Sequence, residues 1–430
     1  MSALTYQTGF GNELESEALP GALPLGQFSP QQVRYGLYAE KFSLTAFTAP
    51  RAENRRTWFY RIRPSAVQGA FTPLPQSLWL SAPLTDGTTP PEPLRWDPPA
   101  LDTRGDFIDG LVTVAANGNA ANQLGIGIHL YATGRPMHAR CLVDADGDLL
   151  LVPQAGDIRV RTECGVLEAS PGEIVVVPRG MKFAVDPVEA SARGYVCENY
   201  GQQLRLPERG PVGSDGFAND RDFQMPVAAY VDKDLPFELV CRFQGALYRT
   251  QLDHCPFDVV AWVGNALPYK YDLRRFNVLG SISFDHPDPS IFTVLTAPSD
   301  TAGVANVDFV IFPPRWLVAD DTFRPPWFHR NVMSEFMGLI YGQYDAKRTG
   351  FEPGGMSLHN AFVPHGPDGD VFAAASHAPL APHKIDNTLA FMFETRYALR
   401  ASRWALESPG LQHDYRECWQ RLERRFVPPV

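Results

Sequence analysis

His329 and Glu335 stand in the stretch Trp327-Phe328-His329-Arg330-Asn331-Val332-Met333-Ser334-Glu335-Phe336-Met337-Gly338, and two more imidazoles, His359 and His365, follow among glycines and prolines. Two neutral imidazoles and one carboxylate make the donor set that suits non-haem Fe(II) and leaves positions open for O2 and a substrate. Oxygen chemistry at iron is therefore the reading these residue types support, provided that the fold brings them to one point.

The spacing limits how that can happen. On a continuous strand, at about 3.3 Å per residue, His329 and Glu335 lie roughly 20 Å apart, too far to share an ion. On a continuous helix the same interval turns through about 600°, which puts them on different faces. The chain must bend between them, as it does in a β-barrel whose strands reverse quickly. The pattern resembles a cupin, whose first motif runs H-x-H, a short gap, E and then G. His329 takes the place of the second His, Glu335 of the Glu and Gly342 of the Gly, while Trp327 stands where the first His belongs and the gap before the Glu is longer. The second cupin motif is echoed by Pro353-Gly354-Gly355-Met356-Ser357-Leu358-His359. On that template His359 and His365 compete for the third ligand place.

The histidines are unevenly placed: of 10 in the chain, His286, His329, His359, His365, His377, His383 and His413 lie from residue 286 onward. Several sit among Gly and Pro, which mark exposed loops where sites concentrate.

The elements that must position these side chains read as short strands. At 430 residues the chain has room for two cores, and 39 prolines with 35 glycines cut it into short segments, so the expectation is a mainly β protein with long loops and few helices. Strand patterns fall at residues 42–48, 58–63, 125–131, 149–153, 158–162, 174–178, 309–314 and 389–394. The first sixty-five residues otherwise read as loop, and the run Arg51, Arg55, Arg56, Arg61 and Arg63 reads as a solvated strand face with its flanking loop. Residues 199–245 read as an insertion or lid. Tyr415, Trp419, Leu422 and Phe426 recur at helical spacing and predict an amphipathic helix.

Pro171-Gly172-Glu173 to Phe183 follows the second cupin motif with Phe183 in place of the His, and Asp144 and Asp146 stand where H-x-H would be. Phe cannot ligate a metal. The expected organisation is an N-terminal β-sandwich or degenerate jelly-roll domain, residues 1–274, without its own metal, and a C-terminal cupin-like β-barrel, residues 275–430, that carries the catalytic site. A net charge of −10 without a basic run argues against a nucleic-acid partner. No apolar run approaches the ~20 residues of a membrane span, the start lacks a signal-peptide pattern, and the six cysteines show no disulfide or C-x-x-C spacing. A soluble, cytoplasmic protein with free thiols is the expectation.

Over essentially its full length the sequence resembles the homogentisate 1,2-dioxygenases. The resemblance rests on Gly9-Phe10-Gly11-Asn12-Glu13, Arg55-Arg56-Thr57-Trp58-Phe59-Tyr60-Arg61-Ile62, Phe284-Asp285-His286-Pro287-Asp288-Pro289-Ser290-Ile291-Phe292, the 329–338 stretch, Ser357-Leu358-His359 and Pro364-His365-Gly366-Pro367-Asp368. It implies an Fe(II) enzyme that opens the ring of homogentisate with O2 to give 4-maleylacetoacetate in tyrosine and phenylalanine breakdown. It implies iron ligands His329, Glu335 and His365, a general base His286, substrate contacts at Tyr344 and His365 with His359 lining the pocket, and a homohexamer, a dimer of trimers. A non-catalytic binding barrel, or an isomerase using Zn or Mn, is the competing class, separable by metal analysis.

Overall fold

Apolar alternation and β-branched runs build strands here far more often than helices. The structure, a computed structural model, describes residues 3–75, 78–279, 285, 288–344, 346–347 and 349–429. Among these, strands dominate, and the longest α-helix is Gly369–Ala375. The strands form sheets of nine, seven, six, four and two members. Ile126–Thr133 and most of Asp148–Ala155 are buried at every position, as befits strands covered on both faces, whereas Ile158–Thr162 alternates buried and half-buried. Phe183, at the place of a cupin histidine, is buried and packs edge-on against Phe107.

The six-stranded sheet positions the candidate site. In chain order its strands are β1 (Leu94–Trp96), β2 (Thr293–Pro298), β3 (Ala305–Phe312), β4 (Ser334–Tyr341), β5 (Met356–His359) and β6 (Leu389–Thr395), and in space they run β2-β3-β6-β4-β5-β1, all antiparallel. Directly opposed residues share a face. One row therefore crosses the sheet as Leu295, Phe309, Phe393, Phe336, Leu358 and Leu94, all buried. The next row, on the other face, is Thr296, Asp308, Glu394, Glu335 and His359. Core and site are thus the two sides of one pleat.

Tyr195, from the nine-stranded sheet, fixes the six-stranded sheet from its core side. Its hydroxyl donates to the Gly355 carbonyl at 2.8 Å and its ring meets Phe391 edge-on at 4.9 Å. Gly338 makes that approach possible: a Cβ there would lie 2.4 Å from the Phe391 ring and 3.0 Å from Tyr195.

Several expectations need correction. Among the described residues no closed barrel is found, and the six-stranded sheet is open. Residues 199–245 are not simply a lid: Phe223–Pro226 joins the nine-stranded sheet and Phe237–Phe243 the seven-stranded one, where it pairs parallel with Arg140–Asp144. The polar first half of that segment hides the alternation of the second. The strand expected at 42–48 is Tyr38–Ser43, and Phe47 is exposed. The C-terminal helix is one turn, Glu417–Gln420. Tyr415 is drawn into the core ahead of it and the Trp419 indole N–H donates to the Pro367 carbonyl at 3.0 Å, so tertiary contacts replace helical continuation.

Arg61 is not on a solvated face. It is 1% exposed and bridges Glu163 and Asp258, both at 2.8 Å, and Glu40 at 2.9 Å. A second buried network joins Glu198 to Arg242 at 3.0 Å and to His129 at 2.9 Å. Oxygens of Asp144 and Asp146 lie beside it, within 4.8 Å of one another and of Glu198, and each aspartate accepts backbone N–H groups, from Asp146 and Gly147 and from Gln244 and Gly245 respectively. Burial alone would raise the Glu198 carboxyl, but Arg242 and His129 overcome it and hold it down to about 2.

A depressed carboxylate stabilises the fold above its unfolded pKa of about 4.3 and stops doing so as pH falls through its folded value. Glu198→Gln leaves Arg242 buried without its anion, and should cost about 3–5 kcal/mol in urea unfolding at pH 7. The gap to wild type should close as pH falls from about 4.3 toward 2. A gap that does not vary with pH would remove this network from the list of stabilising interactions.

Candidate metal centre

The site begins with a bend. His329 lies just before β4, and Glu335 is its second residue. Between them the Asn331 side-chain oxygen accepts the Met333 N–H at 3.1 Å, closing a tight Asx turn that ends the approach to His329 and starts the strand. The second histidine arrives through backbone pairing. His329 and His365 exchange both backbone hydrogen bonds, at 2.9 and 3.1 Å, so their side chains leave the same face of a two-residue ladder. The ring centroids lie 4.2 Å apart. Gly366 lets the chain run on past Phe328, where a Cβ would come within 2.5 Å of the ring.

Both rings are held in one tautomer. Nδ1 of His329 lies 2.8 Å from the Trp327 carbonyl and Nδ1 of His365 lies 3.0 Å from the Val363 carbonyl. A carbonyl only accepts, so each Nδ1 carries a proton, and Nε2 is the ring atom turned inward. Glu335 waits there, with Oε2 at 3.0 Å from His365 Nε2 and Oε1 at 3.7 Å from His329 Nε2. Ligand atoms of the three residues lie within 4.8 Å of one another. Three lone-pair donors facing one point need positive charge among them. Protons or a cation can supply it, and two imidazoles with one carboxylate fit a divalent transition metal with positions to spare.

The electrostatics agree with that arrangement. Burial pushes the Glu335 carboxyl up, but the imidazoles of His329 and His365 beside it win and hold it below the usual carboxylate range. Burial pulls His329 down, and Glu335 with the Trp327 carbonyl raises it to a net upward shift. Glu335 is buried and His365 nearly so, while His329 keeps 29% of its side chain exposed, which leaves the centre reachable from one side.

His359 is placed beside the donors rather than among them. It stacks on His365 at 4.0 Å between centroids and 10° between planes, and its Nε2 lies 3.1 Å from the Tyr415 hydroxyl. Burial is the main reason its pKa falls well below the ordinary value, so the ring is neutral. Tyr344 is partly buried against Phe312 and Phe351, at 5.5 and 6.1 Å, on the wall of a cleft of about 720 Å³ that it shares with Lys347 and His383. His286 falls outside the described residues. Another cavity, of about 740 Å³, lies away from the histidines, between Phe10, Arg55, Arg179 and Tyr269.

Sequence reasoning missed the groups behind Glu335. Asn331 donates its amide to Oε1 of Glu335 at 3.0 Å and also to Glu394, the cross-strand partner of Glu335 on β6. Burial, with the charges of Glu335 and Asp308 adding to it, pushes Glu394 up to about 7 against the Asn331 hydrogen bond. The available signal was a lone carboxylate ending the apolar run Leu389-Ala390-Phe391-Met392-Phe393, one residue after a core position.

Two family models match the chain: Homogentisate 1,2-dioxygenase N-terminal over residues 5–273, and Homogentisate 1,2-dioxygenase C-terminal over residues 274–426. Among solved structures, the chain is similar to a deletion mutant of Bacillus subtilis oxalate decarboxylase, with 11% identity over 75% of this chain and 83% of that one and a TM-score of 0.32. It is also similar to protein Ylba from E. coli, with 8% identity over 71% and 92% and a TM-score of 0.32. A cupin-2 domain containing protein from Shewanella frigidimarina matches with 16% identity over 17% and 70%, with a TM-score of 0.16.

The geometry makes three substitutions diagnostic of the centre. Glu335→Gln removes its one anionic donor and should abolish most divalent-metal binding, read by metal analysis of protein purified without oxygen. Asn331→Ala should bind metal about 10–100-fold more weakly, the usual effect of losing a group that orients a ligand. His359→Gln should keep its metal. Full metal content in Glu335→Gln, or loss in His359→Gln equal to that in His365→Gln, would refute the assignment.

Proposed function

The chain belongs to the homogentisate 1,2-dioxygenase family, and from that premise we propose that His329, Glu335 and His365 hold Fe(II) and that the substrate ring is opened beside them. The family activity is that of a metal-dependent dioxygenase, an oxidoreductase that takes homogentisate and O2 to 4-maleylacetoacetate in tyrosine and phenylalanine catabolism. What supports the site reading most is the convergence of three acceptor atoms within 4.8 Å, with both imidazoles locked by backbone carbonyls. Ferrous iron bound there supplies Lewis acidity and redox chemistry next to open positions.

The chain's own residues do the rest. The Nδ1–H bonds to Trp327 and Val363 fix the direction of both rings before anything binds, so no reorganisation is needed at the moment of reaction. Asn331 holds the orientation of Glu335. His359, neutral and stacked on His365, borders the substrate and keeps water from that side of the ring. Tyr344 contacts the substrate, and His365 both ligates and borders it. His286 takes the phenolic proton, a transfer suited to a group whose ordinary pKa lies near neutrality.

The division into an N-terminal domain, 1–274, and a catalytic C-terminal domain, 275–430, is supported by the change of family model between residues 273 and 274. Cytoplasmic residence is supported by six free cysteines. No helix of the described residues is long and apolar enough to cross a membrane. A homohexamer, a dimer of trimers with no nucleic-acid partner, completes the reading; the family resemblance supports the assembly and the net charge of −10 the absence of nucleic acid.

Two measurements test this. Metal-free protein reloaded with Fe(II) should consume O2 with homogentisate, whereas zinc-loaded protein should not, because Zn²⁺ has no redox chemistry; oxygen uptake by the zinc form would refute the mechanism. His286→Phe should keep its iron and its melting temperature yet lose about 10²–10⁴-fold in turnover. That loss should shrink toward alkaline pH, where more substrate arrives deprotonated. A flat deficit with a lowered melting temperature would make His286 a structural residue.

A further inference from the structure

Two stretches that carry the family resemblance, Gly9-Phe10-Gly11-Asn12-Glu13 and Arg55-Arg56-Thr57, take no part in the metal centre. They meet on the wall of the cavity of about 740 Å³. Arg55 donates through Nη1 to the Gly11 carbonyl at 3.1 Å, and Arg56 reaches Glu13 at 3.0 Å. Gly11 has a φ of +72°, and a Cβ there would lie 3.2 Å from Arg55 Nη1, so glycine lets the chain turn close over the guanidinium. Phe10 packs edge-on against Phe223 and Tyr269, at 4.8 and 5.0 Å between centroids. The cavity has a buried floor, which includes Val176, Met225, Leu267 and Tyr269, and an exposed rim with Asn12 and Gln202. Apolar walls with a few polar groups are what small-molecule sites are made of, and the volume lies within their usual range of about 300–1,000 Å³.

Two polar groups of this cavity are left unused. The Tyr269 hydroxyl is buried and has no hydrogen-bond partner. Burial and then the charge of Asp148 push its pKa well above the ordinary value, and Arg55 opposes them, so the charges that act on it come from two other residues of the same wall. The half-buried Arg55 has no carboxylate partner among the described residues, and Gly11 takes only one of its five N–H donors. The remaining charges are matched or in water. Asp148 accepts from the Arg179 backbone N–H at 3.0 Å and faces its Nε at 3.5 Å, Asp300 pairs with Arg396, and Glu53 and Arg205 are exposed on the rim, where one charge contributes little. A hydroxyl without an acceptor and a guanidinium without an anion both gain when a negatively charged acceptor enters the cavity that they line.

We propose that this cavity is a second ligand site, which takes a small organic carboxylate, its anion on Arg55 and the Tyr269 hydroxyl and its apolar body against Phe10, Met225 and Leu267. The site is built from other residues than the metal centre and does not depend on the chemistry there. Its wall includes Pro298, the last residue of β2, and Asn306, near the start of β3, so an occupant also touches the outer strands of the sheet that carries Glu335.

The test titrates the iron-loaded enzyme with three probes: phenylacetate, phenylacetamide, which has the same body without the charge, and acetate, the charge without the body. Binding is read by calorimetry and by the shift in melting temperature. Phenylacetate should bind at millimolar concentration or below and raise the melting temperature, and the other two should bind about 10-fold or more weakly still. Arg55→Met should lose about 10- to 10²-fold in phenylacetate affinity, the scale of one charged hydrogen bond, with turnover of homogentisate unchanged, and Arg55→Lys should recover part of the loss. Tyr269→Phe should bind phenylacetate about 2- to 10-fold more weakly and melt at the same temperature or higher, because it removes a buried hydroxyl that nothing satisfies. Equal binding of phenylacetamide would overturn the proposal, as would a binding event undiminished in Arg55→Met, which would lie elsewhere. Absence of binding, the result if a neighbouring copy of the chain fills the cavity, would overturn it too. Should Arg55→Met melt early because Arg55 also holds Gly11, Tyr269→Phe decides: weakened phenylacetate binding there upholds the site, and unchanged binding removes it.

Discussion

In an antiparallel sheet two directly opposed residues share a face, and a slip of one position sends every side chain to the other side. That constraint governs this molecule. The register of β6, β4 and β5 puts Glu394, Glu335 and His359 in one row and Phe393, Phe336 and Leu358 in the next. The aromatic row can be buried against the rest of the protein only if the acidic row faces the site. Packing of Phe336 with Phe393, stacked at 6.2 Å, and of Tyr195 against Phe391 therefore fixes where the carboxylate of Glu335 points. The hydrophobic core sets the geometry of the polar centre, and not the reverse.

The second constraint is electrostatic. Lone pairs from two neutral imidazoles and a carboxylate would repel one another if nothing positive lay between them. The fold holds them together with backbone carbonyls behind each ring and with Asn331 behind the carboxylate. The same amide also restrains Glu394, so two carboxylates that register forces side by side share one donor. Elsewhere in the chain, buried acids are balanced by guanidinium groups, as at Arg61 and Arg242. At the centre the carboxylate faces imidazoles instead, which can meet it with protons or join it in holding a cation.

How much of this could be read beforehand follows from which signals are local. His329, Glu335 and the need for a bend between them were legible, because residue type and spacing exclude a straight strand or helix, and the bend is the Asx turn at Asn331. Strands such as Ile158–Thr162 and Leu389–Thr395 were legible from alternation or apolar runs. Arg61 was misread, since its partners Glu163 and Asp258 are remote in sequence and only pairing across sheets buries it. The C-terminal helix was overextended because Tyr415 and Trp419 satisfy their polar groups on His359 and Pro367, which the helical spacing cannot reveal. Glu394 was passed over because one polar residue at the end of an apolar run carries no mark of its cross-strand neighbour.

The short strand Leu94–Trp96 lies along the outer side of Met356–His359, although residues 97–355 separate them in the chain. Without that pairing the histidine-bearing strand would itself be the open edge of the sheet. An unpaired edge is a template for another chain. A C-terminal half severed from the first hundred residues would present that edge permanently. The consequence is that a strand from the N-terminal part covers an edge of the C-terminal sheet, a structural duty independent of any contact with substrate.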